Sequence, residues 1–185
     1  MNGKIFHTSM VACLNVKRRM KRYVLSLKII SRDCSNSSTK LVLKLSDEPN
    51  KLSFTEDAEK DLLVLRRAAE EIVDNTINAY IHNDITLAIR VEPLEQVIDK
   101  ITAEIKSKHI ERLQRGECTI EMGFILSDIL TNYERISDHC SNIAVAMIEI
   151  NHGGFDTHKY LNSIKNSNNK EFNESYEEYA EKYAL

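Results

Sequence analysis

Apolar residues recur near the middle of the chain at alternating steps of four and three: Met122, Leu126, Ile129, Tyr133, Ile136, Cys140, Ile143, Met147 and Ile150. Such steps place every one of these side chains on a single stripe, so the pattern predicts a long amphipathic helix over residues 119–150, stopped by Gly153-Gly154. Two earlier stretches carry the same signature. Leu62, Leu65, Ala69, Ile72, Thr76 and Ala79 or Tyr80 share one stripe, which closes near His82-Asn83. Its start is marked by Ser53-Phe54-Thr55-Glu56, a capping-box pattern. A further seam runs Leu87, Val91, Leu94, Ile98, Ile101 and Ile105, from about Asp84 to a point before Gly116. Pro93 lies inside it, where a missing donor and a clash with the preceding turn predict a kink. At a rise of about 1.5 Å per residue each helix would be on the order of 40 to 50 Å long. Joined by turns of two or three residues, three such helices must fold back antiparallel. The predicted fold class is all-α.

The flanks read differently. In residues 1–50, Cys13, Val16, Met20, Tyr23, Leu27 and Ile30 keep helical spacing while Lys17, Arg18, Arg19, Lys21 and Arg22 take the opposite face. This is a basic amphipathic helix that either lies on an anionic membrane surface through residues 10–30 or packs its stripe on the bundle. It lacks the uninterrupted apolar stretch and small-residue cleavage site of a signal peptide. Ser31 to Asn50 read as a polar linker with a short extended piece at Leu41 to Leu45. In residues 155–185, a break at Ser163 to Asn169 precedes Glu171 to Tyr183, where Phe172, Tyr176, Tyr179 and Tyr183 at helical spacing predict a final helix packed by its aromatics. The chain thus divides into residues 1–50, a three-helix unit over 51–154 and a tail over 155–185.

Composition narrows the function classes. With five Gly, two Pro and no Trp among 185 residues, the chain suits long helices and not a turn-rich β protein. No stretch approaches the roughly 20 apolar residues of a membrane span. The net charge of −3 is unevenly spread: residues 1–50 hold ten Lys/Arg against three Asp/Glu, or +7, leaving fifteen against twenty-five, or −10, for the rest. An acidic main domain argues against nucleic-acid binding. Cys13, Cys34, Cys118 and Cys140 form no C-x-x-C pair and read as reduced small hydrophobes.

Three Glu-x-x-x-Asp spacings fall on the predicted helices: Glu70…Asp74, Glu95…Asp99 and Glu134…Asp138. Residues four apart stand one turn apart on the same face. The last two pairs belong to adjacent antiparallel helices, so four carboxylates can converge on one spot, where their repulsion calls for a cation. Oxygen ligands favour a hard ion, or iron or manganese, over copper. The plain alternative is a solvated acidic face, which a chain with 28 acidic residues offers often. His139 beside Cys140 cannot form a nucleophilic pair, because neighbouring helical side chains diverge by about 100°. His109 and His82 have no ligand-spaced partner. The paired Glu-x-x-His signature of ferritin-like di-iron sites is missing, as are phosphate-cradling glycine loops and nucleophile elbows. No enzyme is indicated.

The run Asn132-Tyr-Glu-Arg-Ile-Ser-Asp-His-Cys-Ser-Asn-Ile-Ala144 resembles the "ERIGDH…NIA" signature of PhoU-type helical domains, with Ser137 where the signature has Gly. Asn83-Asp84, Leu87-Ala88, Val91 to Asp99, His109 to Leu113 and Cys118 to Glu121 resemble the same family, most closely the cytoplasmic PhoU-like region of bacterial sodium/phosphate cotransporters. The resemblance covers about residues 51–185. It implies an antiparallel bundle built from a three-helix unit that occurs twice in the family, and a regulatory, non-catalytic role in phosphate uptake and homeostasis. It also implies metal binding through Glu95, Asp99, Glu134 and Asp138, by iron, zinc, manganese or calcium. A phosphate transporter's membrane domain or another PhoU-like unit is the implied partner, at the cytoplasmic face of the membrane. Only one complete unit is visible here, so the expected occupant of the vacant partner face is the basic N-terminal helix or a second copy in a homodimer. The competing expectation is a metal-free helical protein–protein interaction module.

Overall fold

The computed structural model of the chain describes residues 53–152 and 170–185, and among these no strand occurs. Helix α1 spans Glu56–His82, α2 Ile85–Ile89, α3 Val91–Gln114, α4 Ile120–His152 and α5 Lys170–Lys182. The expectations for the basic helix, the linker, Gly153-Gly154 and the Ser163 to Asn169 break lie outside the described residues.

The three seams become one core. Leu65, Ala69, Ile72, Thr76 and Ala79 of α1 are buried, as are Val91, Leu94, Ile98, Ile101 and Ile105 of α3. On α4, eight of the nine stripe positions are buried, and Ile150 packs at the margin. Helices α1, α3 and α4 each pack on the other two. The buried hydroxyls of Thr76 and Thr102 donate back to Ile72 O and Ile98 O, at 2.7 Å and 2.9 Å, so they cost the core no orphaned donor. Burial pushes the Cys140 thiol up to about 12, against a small opposing effect of Thr76, so this cysteine is an inert piece of the seam.

Boundaries differ from the sequence expectation at two places, each for a local reason. The cap of α1 is Thr55 and not Ser53: Thr55 Oγ1 accepts from Ala58 N at 3.3 Å, and Glu56, Asp57 and Glu59 fill the first turn, where carboxylates suit the helix dipole. The kink expected at Pro93 is a full break three residues earlier. Asp84 caps the short α2 by accepting from Leu87 N at 3.0 Å, Arg90 turns the chain, and α3 begins at Val91. Pro93 then sits in the first turn of α3, where no intrahelical donor is required of it. At the other end of α3, Gly116 takes φ +72 and lets Glu117 N reach back to Arg112 O at 2.9 Å, which closes the helix and reverses the chain.

Helix α5 packs on α3, with Phe172, Ser175, Tyr179 and Tyr183 buried. Tyr179 Oη accepts from Asn75 Nδ2 at 3.4 Å and from Arg90 Nε at 3.3 Å, and the Arg90 guanidinium lies 5.3 Å from its ring centre. Tyr183 Oη donates to Glu71, which also takes Lys182 at 2.8 Å. The aromatic spacing in the tail therefore does what it predicts: it docks the last helix on the bundle.

A carboxylate face between α3 and α4

The antiparallel α3–α4 pairing follows from its cross-links. Lys106 Nζ donates to Glu134 Oε1 at 2.8 Å, and toward the start of α3 the Ser141 hydroxyl donates to Glu92 Oε2. Between these two links lies Asp99. Its carboxyl is held above the ordinary aspartate range, first by partial desolvation where the exposed residue leans on the bundle edge, then by the charges of Asp138 and Glu134, with Glu92 adding to them and Lys106 opposing. Three of the four carboxylates singled out in the sequence, Asp99, Glu134 and Asp138, thus share one electrostatic site. Glu95 is half-buried on the same helix. Asp99 and Asp138 are exposed and Glu134 half-buried, so the face is displayed along the edge of the seam.

Sequence reasoning passed over three members of this face. Glu92 is almost fully buried, at 5% exposure, and brings another carboxylate. Lys106 supplies the positive charge, and Ser141 a hydroxyl. A signal was available: Glu92, Asp99 and Lys106 are seven apart on α3, and Glu134 and Ser141 are seven apart on α4, so each set shares a face over two turns. The third Glu-x-x-x-Asp spacing behaves as a solvated face, with Glu70 accepting from Arg66 at 2.8 Å in an exposed pair.

Among the described residues, no three His, Cys, Asp or Glu side chains are gathered closely enough to hold a metal ion as they stand. The donor chemistry of the face is of the kind that hard cations take. The donors are oxygens, and the charges of Asp138, Glu134 and Glu92 add to desolvation in raising the Asp99 pKa, with Lys106 opposing.

Two other polar groups are built into the far end of the bundle. Asp61 is buried between Lys108 Nζ at 3.2 Å and Arg112 Nη1 at 3.5 Å, while Asp61 Oδ2 and Arg112 Nη2 have no hydrogen-bond partner among the described residues. They border a cleft of about 440 Å³ whose basic residues Lys60, Lys108, Arg112 and Arg115 are all ion-paired. His109 is buried too, its Nδ1 3.7 Å from Cys118 Sγ, and burial together with the Arg112 charge holds its pKa below the usual value. A Cβ on Gly123 would stand 2.8 Å from His109 Nε2, so this ring occupies the space a side chain would take. Sequence reasoning, which found no Glu-x-x-His pattern, passed over one such spacing, Glu149 and His152, at the end of α4; Glu149 Oε1 is buried and without a hydrogen-bond partner among the described residues.

The PhoU domain family matches residues 62–147, a span that holds every member of the carboxylate face. The chain carries homology to PhoU accessory proteins. It is 25% identical over 149 residues to the phosphate-specific transport system accessory protein PhoU homolog 1 of Thermotoga maritima, covering 77% of this chain and 62% of that protein. It is 24% identical over 135 residues to the corresponding PhoU homolog of Borreliella burgdorferi, covering 69% of this chain and 60% of that protein. The chain therefore spans about six tenths of the length of these relatives. No solved structure gives a significant match. The all-helical antiparallel bundle expected from the sequence is the fold observed among the described residues, and no described helix is long and apolar enough to cross a membrane.

Proposed function

We propose that this chain is a non-catalytic regulatory PhoU-type domain of phosphate transport that acts through a protein partner and takes a divalent or trivalent metal ion on its α3–α4 face. Glu95, Asp99, Glu134 and Asp138 are the expected ligands, with Glu92 adjoining them. The phosphate-transport role rests on the relatives, which are named as accessory proteins of phosphate-specific transport systems. The narrower association with a sodium/phosphate cotransporter rests on the sequence blocks from Asn83 to Ala144. On this reading the partner is a transporter's membrane domain or another PhoU-like unit, a second copy of the chain included, met on the cytoplasmic side.

The metal reading rests on one observation: after desolvation, the charges of Asp138, Glu134 and Glu92 add to raising the Asp99 pKa while Lys106 opposes them, so acidic groups of two helices face one another there. A bound cation would weaken that repulsion. Elemental analysis of protein purified without chelator, then reconstituted and desalted, tests it. Stoichiometric iron, zinc, manganese or calcium in the natural chain, lost on combining Asp99→Asn with Asp138→Asn, is the expected result. Trace metal alone in both proteins would remove the metal reading.

The Lys106–Glu134 ion pair favours a second reading, in which the face is neutralised from within and the bundle is a metal-free interaction module. That reading predicts that Glu134→Ala with Asp138→Ala leaves fold and partner binding unchanged.

A further inference from the structure

We propose that residues 13–30 dock their apolar stripe on the end of the bundle where the α3–α4 turn meets the start of α1. The inference is independent of the metal reading above. Lys108 and Arg112, near the end of α3, pair with Asp61 in the second turn of α1, so these two elements share one end of the molecule with the opening of α4. The large apolar side chains left exposed among the described residues are Leu63, Ile81, Ile110, Leu113, Ile120 and Phe124. All but Ile81 lie toward this end: Leu63 early in α1, Ile110 and Leu113 at the close of α3, Ile120 and Phe124 at the opening of α4. Phe124 is 70% exposed and Ile120 63%, while Met122 between them is sealed in the core. Exposed apolar residues scattered singly need no explanation; five gathered toward one end mark an interaction surface.

Connection, reach and charge all select residues 13–30 as the occupant. The chain enters the bundle at this end through Ser53 and the buried Phe54, so everything before them departs from here. Cys13, Val16, Met20, Tyr23, Leu27 and Ile30 keep helical spacing, a stripe about 25 Å long that needs an apolar surface to lie on. The 22 residues from Ser31 to Leu52 join the stripe to the bundle. A polar chain of that length bridges about 25 Å on average, half the length of α4 at about 1.5 Å per residue. The tether therefore holds the stripe near this end and away from Ile81, at an effective concentration that a separate partner has to exceed. Charge agrees as well. Glu59, Glu111 and Glu121 are exposed here and form no ion pair among the described residues, which leaves them as a polar rim for the basic cluster from Lys17 to Arg22.

The test is photo-cross-linking of the full chain with Phe124 replaced by p-benzoylphenylalanine, at micromolar concentration, with and without phosphatidylglycerol vesicles. The expected product is an intramolecular cross-link to residues 13–30, identified by mass spectrometry and retained when vesicles are added. The same group at Ile81, at the far end of the bundle, is expected to give none. Combining Met20→Asp with Leu27→Asp puts two charges on the stripe and leaves the described core intact, so the yield from position 124 should fall about tenfold. Cross-links between two chains, adducts to lipid in place of the peptide, no cross-link, an equal yield from Ile81, or a yield unmoved by the two aspartates would each overturn the docking.

Discussion

Replacing Asp61 by alanine is expected to lower the unfolding free energy by about 3 to 5 kcal/mol, the cost of stranding a buried charge without its partner. Asp61 is the anion that Arg112 faces at 3.5 Å, and Arg112 is only 6% exposed, so water from the neighbouring cleft replaces the pairing poorly. The pair is imperfect, with one atom of each partner lacking a hydrogen bond, which means it repays its own desolvation poorly. Removing both charges should accordingly be much milder than removing one. Urea unfolding of Asp61→Leu combined with Arg112→Met is expected to fall within about 1 to 2 kcal/mol of the natural chain, well above Asp61→Ala alone. Comparable losses in the single and double variants would show that the pair contributes through packing and not through charge.

Replacing Tyr179 by alanine is expected to cost about 3 to 5 kcal/mol, as for other large buried aromatics. Tyr179 is 2% exposed and ties α5 to both α1 and the α2–α3 junction through Asn75 and Arg90. Its loss leaves a ring-sized void and releases Arg90, whose remaining link to α5 is Glu178 at 2.7 Å on the surface. Helix α5 should then come away before the three-helix core, giving a biphasic unfolding curve and rapid trypsin cleavage at Lys170 and Lys182. Tyr179→Phe keeps the ring and loses only two long hydrogen bonds, so its cost should stay near 1 kcal/mol. A single steep transition in Tyr179→Ala, with Lys170 protected, would contradict this division of the fold.

How much of this was legible in the sequence follows from what each signal measures. The seams of α1, α3 and α4 were readable because a 3.6-residue period forces residues such as Leu65, Ile98 and Ile136 to one side, where they are now buried. The same periodicity holds over α5. Residues 84 to 90 were not readable as a separate helix, since the apolar stripe runs unbroken through Leu87 and Val91 while the backbone stops at Arg90. Burial pattern and hydrogen-bond pattern are different things there. Asp99, Glu134 and Asp138 were foreseeable from their spacing once antiparallel packing was inferred. Glu92, Lys106 and Ser141 were not, because their role depends on the axial register of α3 against α4, which no single helix encodes. The Asp61–Arg112 pair escaped notice for the same reason: nothing local marks a charged residue as buried.

The claim on which the functional account depends is that acidic groups from α3 and α4 act on one another across the interface, and carbon-detected NMR titration of the Asp99 carboxyl in chelator-stripped protein measures this directly. Because its folded pKa is raised, Asp99 contributes stability in acid that is lost as pH rises through that value, and Asp138→Asn should lessen the loss. The account predicts an Asp99 midpoint above the ordinary 3.8, moving down in Asp138→Asn and further when Glu134→Gln is added. A midpoint at or below 3.8, unmoved by either substitution, would contradict it.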